Sequence, residues 1–300
     1  MSILNALPGA VAQGLIWGIM AIGVFITFKI LDFADLSVDG SICIGAAVSA
    51  MLILSGVNPY LSLLVAFLAG AAAGLVTGLL HCAMGIPPIL SGILTQLMLW
   101  SVNLKILGQA NRSINSRTFA VAVSQLDIGM AILILFIMIA ALVGILYWFF
   151  GTEIGASIRT TGSNEHMSKA QGINTSVTKI LALMLSNGIV AFSGALLAQY
   201  QGFADINMGR GAIVIGLAAV IIGNAVFGKL CRNFAFKLAS VGIGGIIYYI
   251  VYQIIITLGF DTDLLKLLSA VVVAVFLSVP YLTKKYFNKP KKEKKNVGAD

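Results

Sequence analysis

Charge is scarce in this chain: 10% of its 300 residues are charged, against 59% hydrophobic. Soluble domains carry about 25% charged residues to cover a wet surface, so a soluble domain of this length is excluded. A mean hydropathy of +1.00 agrees. Histidine occurs only twice, as His81 and His166, and neither has a close partner in sequence that would make a nucleophile–base pair or a metal-ligand set. Catalysis and a bound cofactor or metal are therefore not expected. The three cysteines, Cys43, Cys82 and Cys231, are too few and too widely spaced for a disulfide framework and read as small apolar packing residues. Period-2 alternation is absent, which excludes an outer-membrane barrel. The N-terminal MSILNALPGAVAQG lacks a basic flank, so the apolar run after it reads as a retained first span.

What is abundant is apolar sequence in blocks of about 20 residues, long enough to cross a bilayer as helices. Nine candidate segments emerge: 8–31, 39–56, 60–83, 85–107, 127–150, 178–200, 211–227, 233–257 and 263–282. The fold class is an all-α polytopic membrane protein with about 8–10 transmembrane helices. Segments 39–56 and 211–227 are short and rich in Gly and Ala, as tilted, broken or re-entrant helices are. Residues 1–283 form the membrane domain, and 284–300 a basic tail. The stretch Thr283–Asp300 holds seven lysines against Glu293 and Asp300, a net +5 of the chain's +8. Such a tail marks the cytoplasmic side and contacts anionic lipid; it is not a nucleic-acid signal.

Placing the tail inside also places Lys29, the polar stretch 151–177 and Lys229, Arg232 and Lys237 inside. Asp261 and Asp263 fall outside. Arg112 and Arg117, on an outer loop, depart from the positive-inside pattern. If all nine segments cross, the N-terminus lies outside. An internal repeat supports this map. "FADLSVDGSICIGAAV" from Phe33 and "FADINMGRGAIVIGLAAV" from Phe203 align with one extra residue in the second copy. Phe33, Ala34, Asp35, Gly40, Ile42, Ile44, Gly45 and Ala47 pair with Phe203, Ala204, Asp205, Gly211, Ile213, Ile215, Gly216 and Ala218. The copies start on opposite sides, the signature of an inverted repeat around a transport pathway.

Several motifs have plain readings. Gly70, Gly74 and Gly78 form a small-residue ridge suited to close helix packing, or to a dimer seam. "GNAVFGKL" (223–230) has the outline of a nucleotide-binding loop but lacks the Ser or Thr after Lys229 and the preceding strand. Asp32, Asp35 and Asp39 crowd the inner end of the second segment, where they solvate a turn or pair with a basic partner surface. Polar side chains within spans are few. Ser91, Thr95 and Gln96, on a helix opened by Pro87 and Pro88, together with Asn187 and Asn224, are the candidates for lining a translocation path. Asn103 and Gln199 are also intramembrane amides, which must bond another helix or face water.

The polar stretch 151–177 is the longest interruption in the apolar pattern. Ser163 or Asn164 can N-cap a short helix there, and Gly172 suits its left-handed end. Gly155 and Gly162 read as hinges beside it. "GASIRTTGSNEHMSKAQGIN" resembles the cytoplasmic coupling segment of ABC-importer permeases of the branched-chain amino acid and ribose type, on Gly155, Arg159, Gly162, Asn164, Ala170, Gly172 and Ile173. Thr160 and His166-Met167 depart from that family's usual residues. "GLAAVIIGNAVFGKL" is similar to a second block of the family, with Asn224 in place of a glycine. "LDFADLSVDGSICIGAAV" and "QYQGFADINMGRGAIVIGL" look like a subgroup associated with amino acids, including aromatic ones. The resemblance implies a type II-like permease subunit in a bacterial cell membrane. It would pair with a second permease subunit, an identical copy in a homodimer or else a paralogue, with two ABC ATP-binding subunits beneath it and an external substrate-binding protein. Gly155, Arg159, Gly162, Asn164, Ala170 and Gly172 would carry the ATPase coupling. A permease for a sugar or nucleoside is the alternative. More distant are an ion-coupled transporter using Asp32, Asp35 or Asp205, and a non-transporting anchor.

Overall fold

The computed structural model describes residues 3–115, 117–227 and 233–257, with positions 267, 270, 271, 273–275 and 278. Most of the ninth candidate span, Asp261 and Asp263, the cations Lys229 and Arg232, Cys231 and the lysine tail lie outside the described residues. Among the described residues ten α-helices follow one another: α1 (Ile3–Phe25), α2 (Val38–Leu54), α3 (Pro59–Cys82), α4 (Pro88–Leu107), α5 (Ile128–Gly151), α6 (Glu153–Ser163), α7 (Glu165–Ala170), α8 (Thr175–Gln201), α9 (Ala212–Phe227) and α10 (Phe234–Thr257). Six of them are long and apolar enough to span a membrane, while α2 and α9 are shorter apolar helices. The protein is a polytopic helical membrane protein.

Helix starts follow local chemistry. Asn58 and Asp127 accept bonds from Tyr60 N and Met130 N at the starts of α3 and α5, and Pro59 and Pro88 occupy the first turns of α3 and α4. Gly108 and Gly202, both with positive φ, end α4 and α8. The first span ends differently. Past Phe25 the chain winds into a π-helical turn, Ile26–Ile30, and is then broken by Asp32 at φ 56, a left-handed conformation that a non-glycine residue seldom adopts.

Helix α8 is the central post, packed by α1, α2 and α3. The packing maps onto itself when α1, α2 and α3 are exchanged with α8, α9 and α10. Thus α3 lies on α8 and α10 on α1, α2 on α8 and α9 on α1, α2 on α3 and α9 on α10, while α1 touches α8. The repeat partners Gly45 and Gly216 face the exchanged helices, Gly45 against the backbone of Ala191 in α8 and Gly216 against the side chains of Met20 and Val24 in α1. Ser193 Oγ donates to Ile16 O (2.7 Å) and Ser186 Oγ to Gly23 O (2.8 Å), so α1 and α8 run antiparallel. An inverted repeat in sequence has become an inverted repeat in space.

The ridge of Gly70, Gly74 and Gly78 faces α8, where Cβ atoms would collide with Asn187, Leu183 and Ile180. It is a seam within the chain, not between copies. Gly14 and Gly18 meet Gly242 and Gly245 in the equivalent contact of α1 with α10. At the end of the bundle remote from residues 151–177, Asn111–Ser113 pairs antiparallel with Phe203–Asp205, Arg112 opposite Ala204.

Candidate functional site

Two places carry polar groups that the lipid-facing helices do not need. One is the polar stretch at the end of the bundle, and the other is the break before α2 and α9.

In the polar stretch two helices form, not one. Thr152 caps α6, its Oγ1 accepting from Gly155 N at 3.4 Å, and Asn164 caps α7 by accepting from Met167 N at 3.0 Å. Gly172 follows α7 at φ 81, as a left-handed terminus requires. Gly155 and Gly162 are not hinges: both sit inside α6. A Cβ on Gly162 would press into the carbonyl of Ile30 and lie 2.8 Å from Leu31 Cα, at the end of the π turn. A Cβ on Gly155 would strike Phe149 and Phe150. These glycines let α6 lie flush on the ends of α1 and α5. Ile158, fully buried, anchors α6 from the same face, a contribution of about 1.5–3 kcal/mol by area. Thr161 and Thr178 share a hydrogen bond of 3.0 Å with α8.

The surface turned away from the bundle remains open. Glu165 sits between Lys179 (2.7 Å) and Lys169 (2.9 Å), and those two bonds, Lys179 first, pull its carboxyl down to about 2. Asn164, His166, Ala170 and Gly172 are exposed, as are the apolar side chains of Ile154 and Met167. Arg159 places its guanidinium 5.8 Å from the centre of the Phe234 ring, joining α6 to the start of α10. It also borders a cavity of about 390 Å³ with Lys29, Lys237 and Asn224.

The second place lies halfway along α8, a helix of about 40 Å. Asp35, buried, accepts from Ser37 N (2.9 Å) and Ser37 Oγ (2.6 Å) on Oδ1, and from Asn187 Nδ2 (2.8 Å) on Oδ2. Asn187 Oδ1 in turn accepts from Ser37 (3.1 Å) and Ser41 (2.6 Å). This network ties the non-helical segment before α2 to the middle of α8. Twelve residues on, Gln199 bonds Ser49 (3.1 Å), Ser62 (3.2 Å) and Ala122 N (2.8 Å) at the far end. Helix α2 therefore starts at half depth and runs outward from there. Helix α9 starts beside the same point: Asp39, one residue into α2, accepts from Gly211 N (2.9 Å) and Ile213 N (3.0 Å). Cys43 supports the junction, its Sγ bonding Ile206 O and Gly209 N, both at 3.3 Å. The two short helices meet end to end at their N-termini inside the bundle.

The five side chains considered for a path do not come together. Ser91 and Thr95 are buried between α3 and α4, Thr95 accepting from Thr77 at 3.0 Å. Asn187 is wholly buried in the Asp35 network. Gln96 borders a cavity of about 220 Å³ beside Asp39, whereas Asn224 borders the cavity at the polar end. Residues that sequence reasoning passed over are Asp39 as a cap for α9, and Arg210, which borders the cavity beside Gln96. The lone cation in the Gly-rich second repeat was the available signal for Arg210.

Residues 7–277 match the family model described as branched-chain amino acid transport system / permease component. A tyrosine transport system permease protein of Clostridioides difficile (strain R20291) is 40% identical over 277 residues, 92% of this chain and 91% of the relative. The probable branched-chain amino acid transport permease protein LivH of Methanocaldococcus jannaschii is 24% identical, covering 83% of this chain and 87% of its own. The D-allose transport system permease protein AlsC of Escherichia coli (strain K12) is 28% identical over 71% of this chain and 64% of its own. No solved structure matches the chain. With its family match spanning nearly all of the described helices, the chain belongs to the family of branched-chain amino acid transport permease components.

Proposed function

We propose that this chain is the membrane-spanning subunit of an ATP-driven importer for an amino acid, and that α6 and α7 are the surface on which a separate ATP-binding subunit docks. The observation that carries the reading is the seating of α6. Gly155, Ile158 and Gly162 fix it to the ends of α1 and α5, while Arg159, Asn164, Ala170 and Gly172 lie on the open side or at its edge. A push on that open side reaches α1 through Ile30 and α10 through Phe234 without passing through a flexible loop. Coupling requires only that the docked subunit contact this surface more tightly in one state than in the other.

Lys29, Arg159, Lys169, Lys179 and Lys237 all lie at this end of the bundle, and this concentration of cations supports reading it as the cytoplasmic face. A substrate-binding protein then delivers solute at the opposite face, around the paired strands. A second copy of this chain completes the membrane pathway. The tyrosine permease among the relatives favours an amino acid as solute. A sugar is the second reading, because the D-allose permease is also related.

Expression with neighbouring transport genes and purification through a tag on this chain tests the reading. An ATP-binding subunit should co-purify, and ATP hydrolysis should rise when the binding protein is loaded with an amino acid. Purification of this chain without any ATP-binding subunit, under conditions that preserve the membrane complex, would sink it.

A further inference from the structure

The junction of α2 and α9 carries a pair of opposite charges that the repeat itself creates. Gly40 and Gly211 are partners in the repeat, so the residues just before them, Asp39 and Arg210, occupy equivalent positions. Each stands at the start of a short helix that begins inside the bundle. Asp39 is committed to the N-terminus of α9, through Gly211 N and Ile213 N. The Arg210 side chain makes no ion pair or hydrogen bond among the described residues, and it borders cavities on both sides of the junction.

The first cavity, about 220 Å³, is shared by Asp39, Gln96, Trp100, Asn103 and Arg210. Asn103 is 1% exposed, and its Nδ2 donates to Gly40 O at 3.3 Å. A carbonyl can only accept, which fixes the amide's orientation and leaves Oδ1 as a buried acceptor with no partner. Such an orphan costs free energy unless something else fills it. On the other side of Arg210 is a cavity of about 320 Å³ bordered by Trp17, Tyr248, Tyr249 and Tyr252. Trp17 and Tyr249 stack with centroids 5.8 Å apart.

Resting on the importer reading, we propose that this junction is a transit site for a zwitterionic aromatic amino acid. The Arg210 guanidinium binds the α-carboxylate, Asn103 Oδ1 and the Asp39 carboxylate accept from the α-ammonium, and the ring lies among Trp17, Tyr249 and Tyr252. An acceptor-only pair on one side and a fixed cation on the other is the complement of an α-amino acid and not of a neutral sugar. Aromatic walls suit a flat side chain better than an aliphatic one. Discontinuous helices meeting at a repeat interface are where such sites are built.

Saturation-transfer NMR on the full chain in nanodiscs, with L-tyrosine and with tyramine, tests the site directly. L-Tyrosine should show transfer to its ring protons. Tyramine, which lacks the carboxylate, should show far less. Arg210→Gln should abolish the difference, Arg210→Lys should restore part of it, and Asn103→Leu should weaken both ligands, because tyramine keeps the ammonium. In the assembled transporter, Arg210→Gln should cut ATP-driven L-tyrosine uptake by at least about tenfold, the order expected for one lost charge-assisted bond. Membrane abundance, measured in parallel, should not change. Equal transfer to tyramine and tyrosine, or full uptake by Arg210→Gln, would overturn the site while leaving the importer reading intact. Absence of any amino acid uptake by the unaltered transporter would overturn both.

Discussion

The substitution Gly162→Val bears most heavily on the contact between α6 and the membrane helices. A Cβ there would sit 2.8 Å from Leu31 Cα and nearer still to Ile30 O. Ordinary carbon–carbon contacts lie at about 3.5–4.0 Å, so α6 must retreat by about 1 Å or more, and the valine methyl groups enlarge the step. Overpacking of this kind costs about 1–3 kcal/mol. Part of the cost can be relieved by lifting α6 off α1, which is the motion that would spoil a docking surface. If the whole cost fell on docking, affinity for the ATP-binding subunit would drop about 5–150-fold. The assay is titration of the purified ATP-binding subunit against this chain in nanodiscs, with membrane abundance measured in parallel. Gly144→Val is the control, because nothing lies within 4 Å of where its Cβ would be, and it should behave as the unaltered chain does. Unaltered docking and substrate-stimulated ATP hydrolysis by Gly162→Val, at normal abundance, would refute the reasoning.

Other expectations concern stability. Asn187→Leu removes the amide that bonds the buried Asp35 side chain and should destabilise the chain by about 1–3 kcal/mol, read as a lowered melting temperature in detergent. Restoring much of that loss by adding Asp35→Leu would support the network as its source. Glu165, with its carboxyl held down to about 2 against an ordinary 4.5, should remain ionised at pH 4, which infrared or NMR titration can check. Because its folded value is lowered, its stabilising effect is full above about pH 4.5 and is lost as pH falls towards 2. The pairs are partly exposed, so the amount is below about 1 kcal/mol, and Glu165→Gln should alter proteolysis of residues 164–172 at neutral pH only slightly. A titration midpoint near 4.5 would contradict the ion-pair geometry.

How much of this was legible beforehand depended on how local the governing interaction is. The eight apolar segments within the described residues were placed to within a few residues, because span length follows directly from bilayer thickness. Asn164 as a cap and Gly172 as a stop were readable for the same reason, since both act on backbone groups two or three residues away. Helix α6 was missed. Its T-T-G-S sequence has poor helix propensity, and burial of Ile158 against the bundle overrides it. Gly155 and Gly162 were misread because a glycine serves equally as hinge or as close contact, and only the neighbour from another helix decides. Asn187 is the same lesson: its partners Asp35, Ser37 and Ser41 stand roughly 150 residues away in the chain. The repeat, by contrast, was visible in sequence, and the charge pair Asp39–Arg210 was contained in that alignment.

The central claim is that the chain moves an amino acid at the expense of ATP hydrolysed by a separate subunit. The most direct measurement is uptake of radiolabelled L-tyrosine into proteoliposomes holding this chain with its ATP-binding subunit inside and its binding protein outside. Uptake that requires internal ATP and ceases without the ATP-binding subunit is the predicted result. Uptake by this chain alone, driven by an ion or proton gradient and indifferent to ATP, would contradict the account.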